Sequence, residues 1–142
     1  MPVSVAGICV ADSRLLLGKR ITGGSMSDRW EFPGGKVDDG ETPGEALQRE
    51  FREELELEVA VGDRIALGEF THKGVRRRLE AYLVYPQQPV RLDTLPLHEH
   101  VQLRWVPRDE VAGYHLADSD RGILSQVLAA IAVGHDPDQG PG

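Results

Sequence analysis

A single cysteine, Cys9, stands in a chain of 142 residues, so a disulfide framework is excluded and a hydrophobic core must hold the fold together. Long apolar runs are missing as well. No stretch approaches the ~18–20 residues needed to cross a bilayer, and the opening MPVSVAGICV lacks the basic start of a secretory signal. Basic charge is scarce: 16 Lys and Arg face 23 Asp and Glu, a net charge of −7, which argues against a nucleic-acid polymer as partner. A small anionic substrate stays open if a divalent metal and a local basic patch offset that field. Repeats and low-complexity segments are absent. These absences lead to the expectation of one domain over residues 1–134, cytoplasmic and with no membrane partner; a monomer or homodimer is expected. The polar tail 135–142 is expected to be disordered.

Turn and periodicity signals divide the chain into a mixed α/β pattern. VSVAGICVA and RLLLGKR read as two strands joined at Asp12-Ser13 as an opening hairpin. A glycine and serine loop follows, then a short strand WEF ending at a Pro33-Gly34-Gly35 turn. A helix starts with Thr42 as N-cap, Pro43 in the first turn and Glu45 completing a capping box. A strand ending near Thr71 is expected to pair with Val75–Tyr85, where Val75, Leu79, Ala81 and Leu83 alternate with Arg76, Arg78, Glu80 and Tyr82. A strand at Val101–Val106, a short helix at Pro107–Ala112 and an amphipathic helix from Ser119 to Val133 complete the reading.

The first helix carries the chemistry. At ~100° per residue, Leu47, Phe51 and Leu55 form its packing stripe, while Glu50, Glu53 and Glu54 share an arc of roughly 100° at the edge of that stripe. Like carboxylates this close repel and call for a cation between them. Their hard oxygens suit Mg²⁺ or Mn²⁺ and not zinc. Arg49, four residues before Glu53, is near enough to orient it. A solvated charged face explains the helix taken alone. The glycines just before it, which let backbone approach a ligand, favour the metal site.

The residues Gly35, Glu41, Arg49, Glu50, Phe51, Glu53, Glu54 and Leu57 resemble the Nudix box, G-x5-E-x7-R-E-U-x-E-E-x-G-U with U a bulky apolar residue. Glu56 departs from the pattern, standing where the family has the glycine that ends the helix, and calls for a different helix exit. WEFPGGK before the box, and the segments around Arg104-Trp105-Val106 and Asp120-Arg121-Gly122, are similar to the MutT-type branch. The resemblance implies a Nudix-type α/β/α sandwich around a mixed sheet with a loop–helix–loop box. It also implies hydrolysis of a nucleoside diphosphate linked to another group, and in this branch attack on the β-phosphorus of an NTP.

The resemblance further implies metal ligation by Glu50, Glu53 and Glu54 with the carbonyl of Gly34, and proton handling by Glu53, with Glu99 as rival base. Glu41 braces the box loop. For the substrate it points to Arg20, Ser25, the segment Glu31-Phe32-Pro33-Gly34, and Asp120 at the base edge. Lys36 and Arg78 are expected to add positive potential. An acceptor-only carboxylate at Asp120 favours guanine N1–H and N2–H or the cytosine amino group. The leading expectation is an NTP pyrophosphohydrolase for an oxidised guanine nucleotide such as 8-oxo-dGTP, or a cytosine nucleotide, in nucleotide-pool sanitation and DNA repair. An ADP-ribose hydrolase and a silent nucleotide-binding module are the alternatives. His98-Glu99-His100 lacks the spacing of a helical zinc motif. Trp105 reads as a core residue, and Trp30 is left open as a base-stacking residue.

Overall fold

The computed structural model describes residues 1–20, 28–96 and 100–132, except for the side chain of Val101; Ser25, Glu99 and the tail 135–142 therefore lie outside the described residues. Strand β1 (Val3–Ile8) is the hinge of the architecture. It pairs antiparallel with β5 (Gly34–Lys36) and parallel with β7 (Val75–Pro86), which pairs antiparallel with β6 (Val59–His72), giving a mixed sheet in the order β5-β1-β7-β6.

After Ile8 the chain crosses to a second sheet. There β2 (Val10–Ala11), β3 (Arg14–Arg20), β4 (Trp30–Glu31) and β8 (His100–Pro107) assemble around β3, which pairs with all three others. The opening hairpin joins β2 and β3 alone, and its two turn residues Asp12 and Ser13 have φ of 52° and 60°, the mirror-image turn that suits strand twist. β1 itself is not part of that hairpin. Lys73 and Gly74, at φ 50° and 78°, make the same kind of two-residue turn between β6 and β7.

Alternating side chains divide the interior in two. Ile8, Val10, Leu15, Leu17, Leu79, Ala81 and Leu83 pack with helix α2 (Asp118–Ala132) through Ile123, Leu124, Val127 and Ile131. Val5, Cys9, Leu16 and Val84 pack instead under helix α1 (Pro43–Leu55) through Leu47, Phe51 and Leu55. Leu15, Leu16 and Leu17 are all fully buried, so β3 is covered on both faces. The expected short helix is present as a 3-10 helix, Arg108–Gly113, and leads to α2.

Helix α1 starts as its sequence dictates: Thr42 Oγ1 accepts from Glu45 N at 3.1 Å and Glu45 Oε1 accepts from Thr42 N at 2.8 Å. Two expectations are corrected. Gly34 and Gly35 belong to strand β5 and not to a turn, because β1 offers them an antiparallel partner. The expected change of helix exit does not occur: Glu56 itself takes the left-handed conformation at φ 53° and ψ 38°, with its N–H bonded to Arg52 O at 3.1 Å. A side chain in that region is strained, since its Cβ crowds the following carbonyl. Glu56→Gly should therefore raise stability by about 0.5–1 kcal/mol, a rise of a few degrees in Tm by circular dichroism, whereas an unchanged or lowered Tm would contradict the strain.

Candidate active site

The box helix, the β1–β5 edge and the ends of β6, β7 and α2 enclose an open cleft of about 380 Å³. Its wall carries Glu50, Glu53 and Glu54 from α1, Gly34 and Gly35 from β5, Glu31 and Phe32, and Ser119 and Asp120 from the start of α2. Basic residues from three strands, Arg20, Lys36 and Arg77, complete it together with His72. A larger hollow of about 530 Å³ lies against Cys9, Tyr85 and Trp105, but among the described residues only Asp12 and Arg14 bring charge to it. The chemistry gathers in the smaller cleft.

Arg49 organises the acidic wall. Its guanidinium grips Glu41 through two nitrogens, Nε to Oε2 at 2.7 Å and Nη2 to Oε1 at 3.0 Å. Nη1 donates to Glu50 Oε1 at 2.8 Å and approaches Glu53 Oε2 at 3.5 Å, while Nη2 also donates to the Lys36 carbonyl at 2.9 Å. The partner expected from helix spacing, Glu53, is thus the weakest contact, and the loop acid Glu41 is the strongest. Glu41 also accepts from Asp38 N at 2.9 Å, so it braces the loop before the helix. The Arg49 bond, then that backbone bond, pull the Glu41 carboxyl down to about 2 from its ordinary 4.5. The clamp is thus fully present above pH 4.5 and is lost as pH falls through about 2.

The cation demanded by the crowded acids is thus supplied in part by Arg49. Among the described residues, no group of three or more His, Cys, Asp or Glu side chains stands ready-made to hold a metal ion. The donors nevertheless fit a hard divalent cation in kind, all being carboxylate or carbonyl oxygens on one cleft wall. A Cβ on Gly35 would fall 2.7 Å from Glu50 Oε2, so only glycine lets that carboxylate lie against the β5 backbone. At Gly34 a Cβ would strike the Val5 carbonyl, which fixes glycine there too.

At the other wall Glu31 and Asp120 face the same cleft. Phe32 N donates to Asp120 Oδ2 at 2.7 Å and Ser119 Oγ donates to Oδ1 at 3.0 Å. Burial, followed by the Glu31 charge, pushes the Asp120 carboxyl up to about 7 against those hydrogen bonds. His72 is held below its ordinary value by desolvation and then by the charges of Lys73, Lys36, Arg77 and Arg20, so a basic patch converges on it.

Several expected site residues are placed differently. Arg78 faces away, its Nε donating to the buried Glu80 at 3.1 Å, and Arg77 enters the cleft in its place, anchored by Nε to Ser4 Oγ at 3.0 Å. Pro33 is buried, its carbonyl accepting from Gly7 N at 2.7 Å, while Glu31, Phe32 and Gly34 do line the cleft. Trp30 packs into the core, edge-on to Tyr114 at 5.3 Å, and stands outside the cleft wall. Trp105 packs against the core under α1. Arg77, His72 and Phe70 were not singled out from the sequence. The signal for Arg77 was its shared parity with Leu79 and Ala81, and no local pattern marks the other two.

Comparison with known proteins agrees with this architecture. The family model for the NUDIX domain matches residues 1–128. The chain is 37% identical over 125 residues to the CTP pyrophosphohydrolase of Escherichia coli (strain K12), covering 88% of this chain and 90% of that protein. It is 39% identical over 57 residues to the 8-oxo-dGTP diphosphatase of Proteus vulgaris, 40% of this chain and 51% of that one. The solution structure of the E. coli ORF135 protein superposes with a TM-score of 0.82 at 34% identity, covering 95% of this chain and 94% of that chain. With its box in register, its mixed sheet between two helices and these relatives, the chain belongs to the NUDIX domain family and is a MutT-like hydrolase.

Proposed function

We propose that the protein hydrolyses a cytosine nucleoside triphosphate to the monophosphate and pyrophosphate with Mg²⁺, or Mn²⁺ in its place, as part of cytoplasmic nucleotide-pool sanitation. The observation that carries this reading is the pairing, in one cleft, of a carboxylate-edged box helix with the Glu31–Asp120 wall. Glu31 is an acceptor for the cytosine amino group. Asp120, with its carboxyl near 7, can carry a proton and donate it to the ring nitrogen beside that group. The relative named CTP pyrophosphohydrolase, matched over most of both chains, supports the same base. A second reading, an oxidised guanine nucleotide, is supported by the relative named 8-oxo-dGTP diphosphatase and by guanine's two edge donors, which suit ionised acids.

Each residue then has a defined task. Glu50, Glu53, Glu54 and the Gly34 carbonyl would hold the divalent ion, which when bound neutralises phosphate charge and acidifies the attacking water. Arg49 holds Glu50 and the loop in place through the contacts above. Glu53 is the most open of the three acids, its side chain 60% exposed against 14% for Glu50, and it is the residue to take the water proton. Glu99, the rival base, lies outside the described residues. Arg20, Lys36 and Arg77 bind the phosphate oxygens. Water adds to the β-phosphorus, the bond to the α,β-bridging oxygen breaks, and that oxygen leaves with the monophosphate.

Pyrophosphate release from CTP, dCTP, 5-methyl-dCTP, 8-oxo-dGTP and ADP-ribose with Mg²⁺ tests the reading: cytosine nucleotides should react fastest, and no release from any of them would overturn it. Glu53→Gln should lower kcat by roughly 10³-fold with an unchanged melting curve, and a near-normal kcat would remove Glu53 from proton transfer. The stability that favours protonated Asp120 is fully present below pH 3.8 and is lost as pH rises through about 7. Asp120→Asn, permanently neutral, should therefore gain roughly 1–3 kcal/mol in denaturant unfolding at pH 8 and nothing at pH 4. An equal gain at both pH values would contradict the ionisation of a buried acid.

A further inference from the structure

Glu31 is held by a device that spans three strands. In the second sheet Glu31 on β4 lies in register with Gly18 on β3, and His100 on β8 lies in register with Arg20 at the bulge between Lys19 and Arg20. Strands on either side of β3 are ~9–10 Å apart, too far for backbone contact, and a side chain on the middle strand would stand between them. Gly18 provides none. A Cβ there would fall within 2.8 Å of His100 Nε2 and Cγ, so the imidazole occupies the space that a side chain at residue 18 would need. Bulges re-aim side chains, and here His100 reaches over the middle strand.

The result is a carboxylate gripped at both oxygens. Arg20 Nη1 donates to Glu31 Oε1 at 2.8 Å, and His100 Nε2 lies 2.8 Å from Oε2. With Glu31 ionised, Nε2 carries the proton of that bond. The two holders differ in constraint: the Arg20 side chain is 41% exposed, that of His100 only 1%. The buried ring is therefore the member that sets the orientation of Glu31. Each carboxylate oxygen accepts more than one hydrogen bond, so Glu31 keeps acceptor capacity on the cleft side.

We propose that His100, acting across Gly18, is a positioning residue that fixes the Glu31 carboxylate as the acceptor for the substrate's exocyclic amino group, and so sets discrimination between cytosine and uracil nucleotides. The inference rests on the cytosine reading above. Filling the site with an apolar side chain would satisfy packing but leave Glu31 to the more exposed and less constrained Arg20. A merely structural His100 would affect all nucleotides alike.

The test compares kcat and KM for CTP and UTP. His100→Leu should lower kcat/KM for CTP roughly 10–30-fold, mainly through KM, while UTP changes about twofold or less, so that the preference collapses. His100→Gln, which keeps a donor where Nε2 stands, should retain most of the preference, and the shorter His100→Asn should lose it. If His100→Leu fails to fold, the Gln and Asn pair decides the matter. Equal losses for both nucleotides, or an unchanged CTP/UTP ratio in His100→Asn, would overturn the positioning role. A wild-type protein that hydrolyses CTP and UTP equally well would overturn the cytosine reading itself, and the inference with it.

Discussion

The Arg49 guanidinium is the interaction on which the site depends. Without it, the box loop and the box helix would meet as a row of carboxylates with no guanidinium between them. With it, two nitrogens close on Glu41, one reaches Glu50, and the loop is tied back through the Lys36 carbonyl. Bidentate geometry of this kind belongs to arginine; a lysine would bring a point charge and could not span the same acceptors. The clamp leaves the more exposed Glu53 only lightly engaged, and that acid is therefore available for chemistry.

Around this clamp the fold's task is to bring two sheets and two helices to one opening. β3, buried on both faces, fixes the second sheet, and β1 couples the glycine strand β5 to the long β6–β7 hairpin. Close approaches are bought by missing side chains: Gly35 admits Glu50, and Gly18 admits His100. These glycines have ordinary backbone angles, and what they supply is space. Polar groups follow the same economy of position. Asp120 and His100 are buried, yet each meets a partner that faces the cleft or forms its wall.

Much of the site was legible because its information is local. The offsets from Gly35 to Glu54 specify one helix face, and Thr42 and Glu45 specify where that helix starts, so the box could be read without knowledge of the sheet. Helix α2 was legible from its apolar period, with Asp120 at its start. What was not legible depends on pairing between distant strands. Arg78 was expected in the cleft although Leu79, Ala81 and Leu83 already set the inward parity, which Arg77 shares and Arg78 does not. The strand character of Gly34 and Gly35 appears only when β1 lies beside them. Glu31 and His100 are 69 residues apart, and their contact needs two registers and a bulge that no local pattern encodes. Glu56 shows the opposite case: a residue unfavourable for the left-handed region adopts it because the surrounding chain demands that exit.

The Arg49-organised carboxylates are proposed to receive a divalent cation together with the nucleotide. Mn²⁺ binding followed by electron paramagnetic resonance, in the presence of a non-hydrolysable CTP analogue, addresses it most directly. Saturable binding that Mg²⁺ displaces, and that Glu50→Gln and Glu54→Gln each weaken at least tenfold without loss of fold, is the predicted result; absence of saturable binding, or affinity unchanged by both substitutions, would contradict the account.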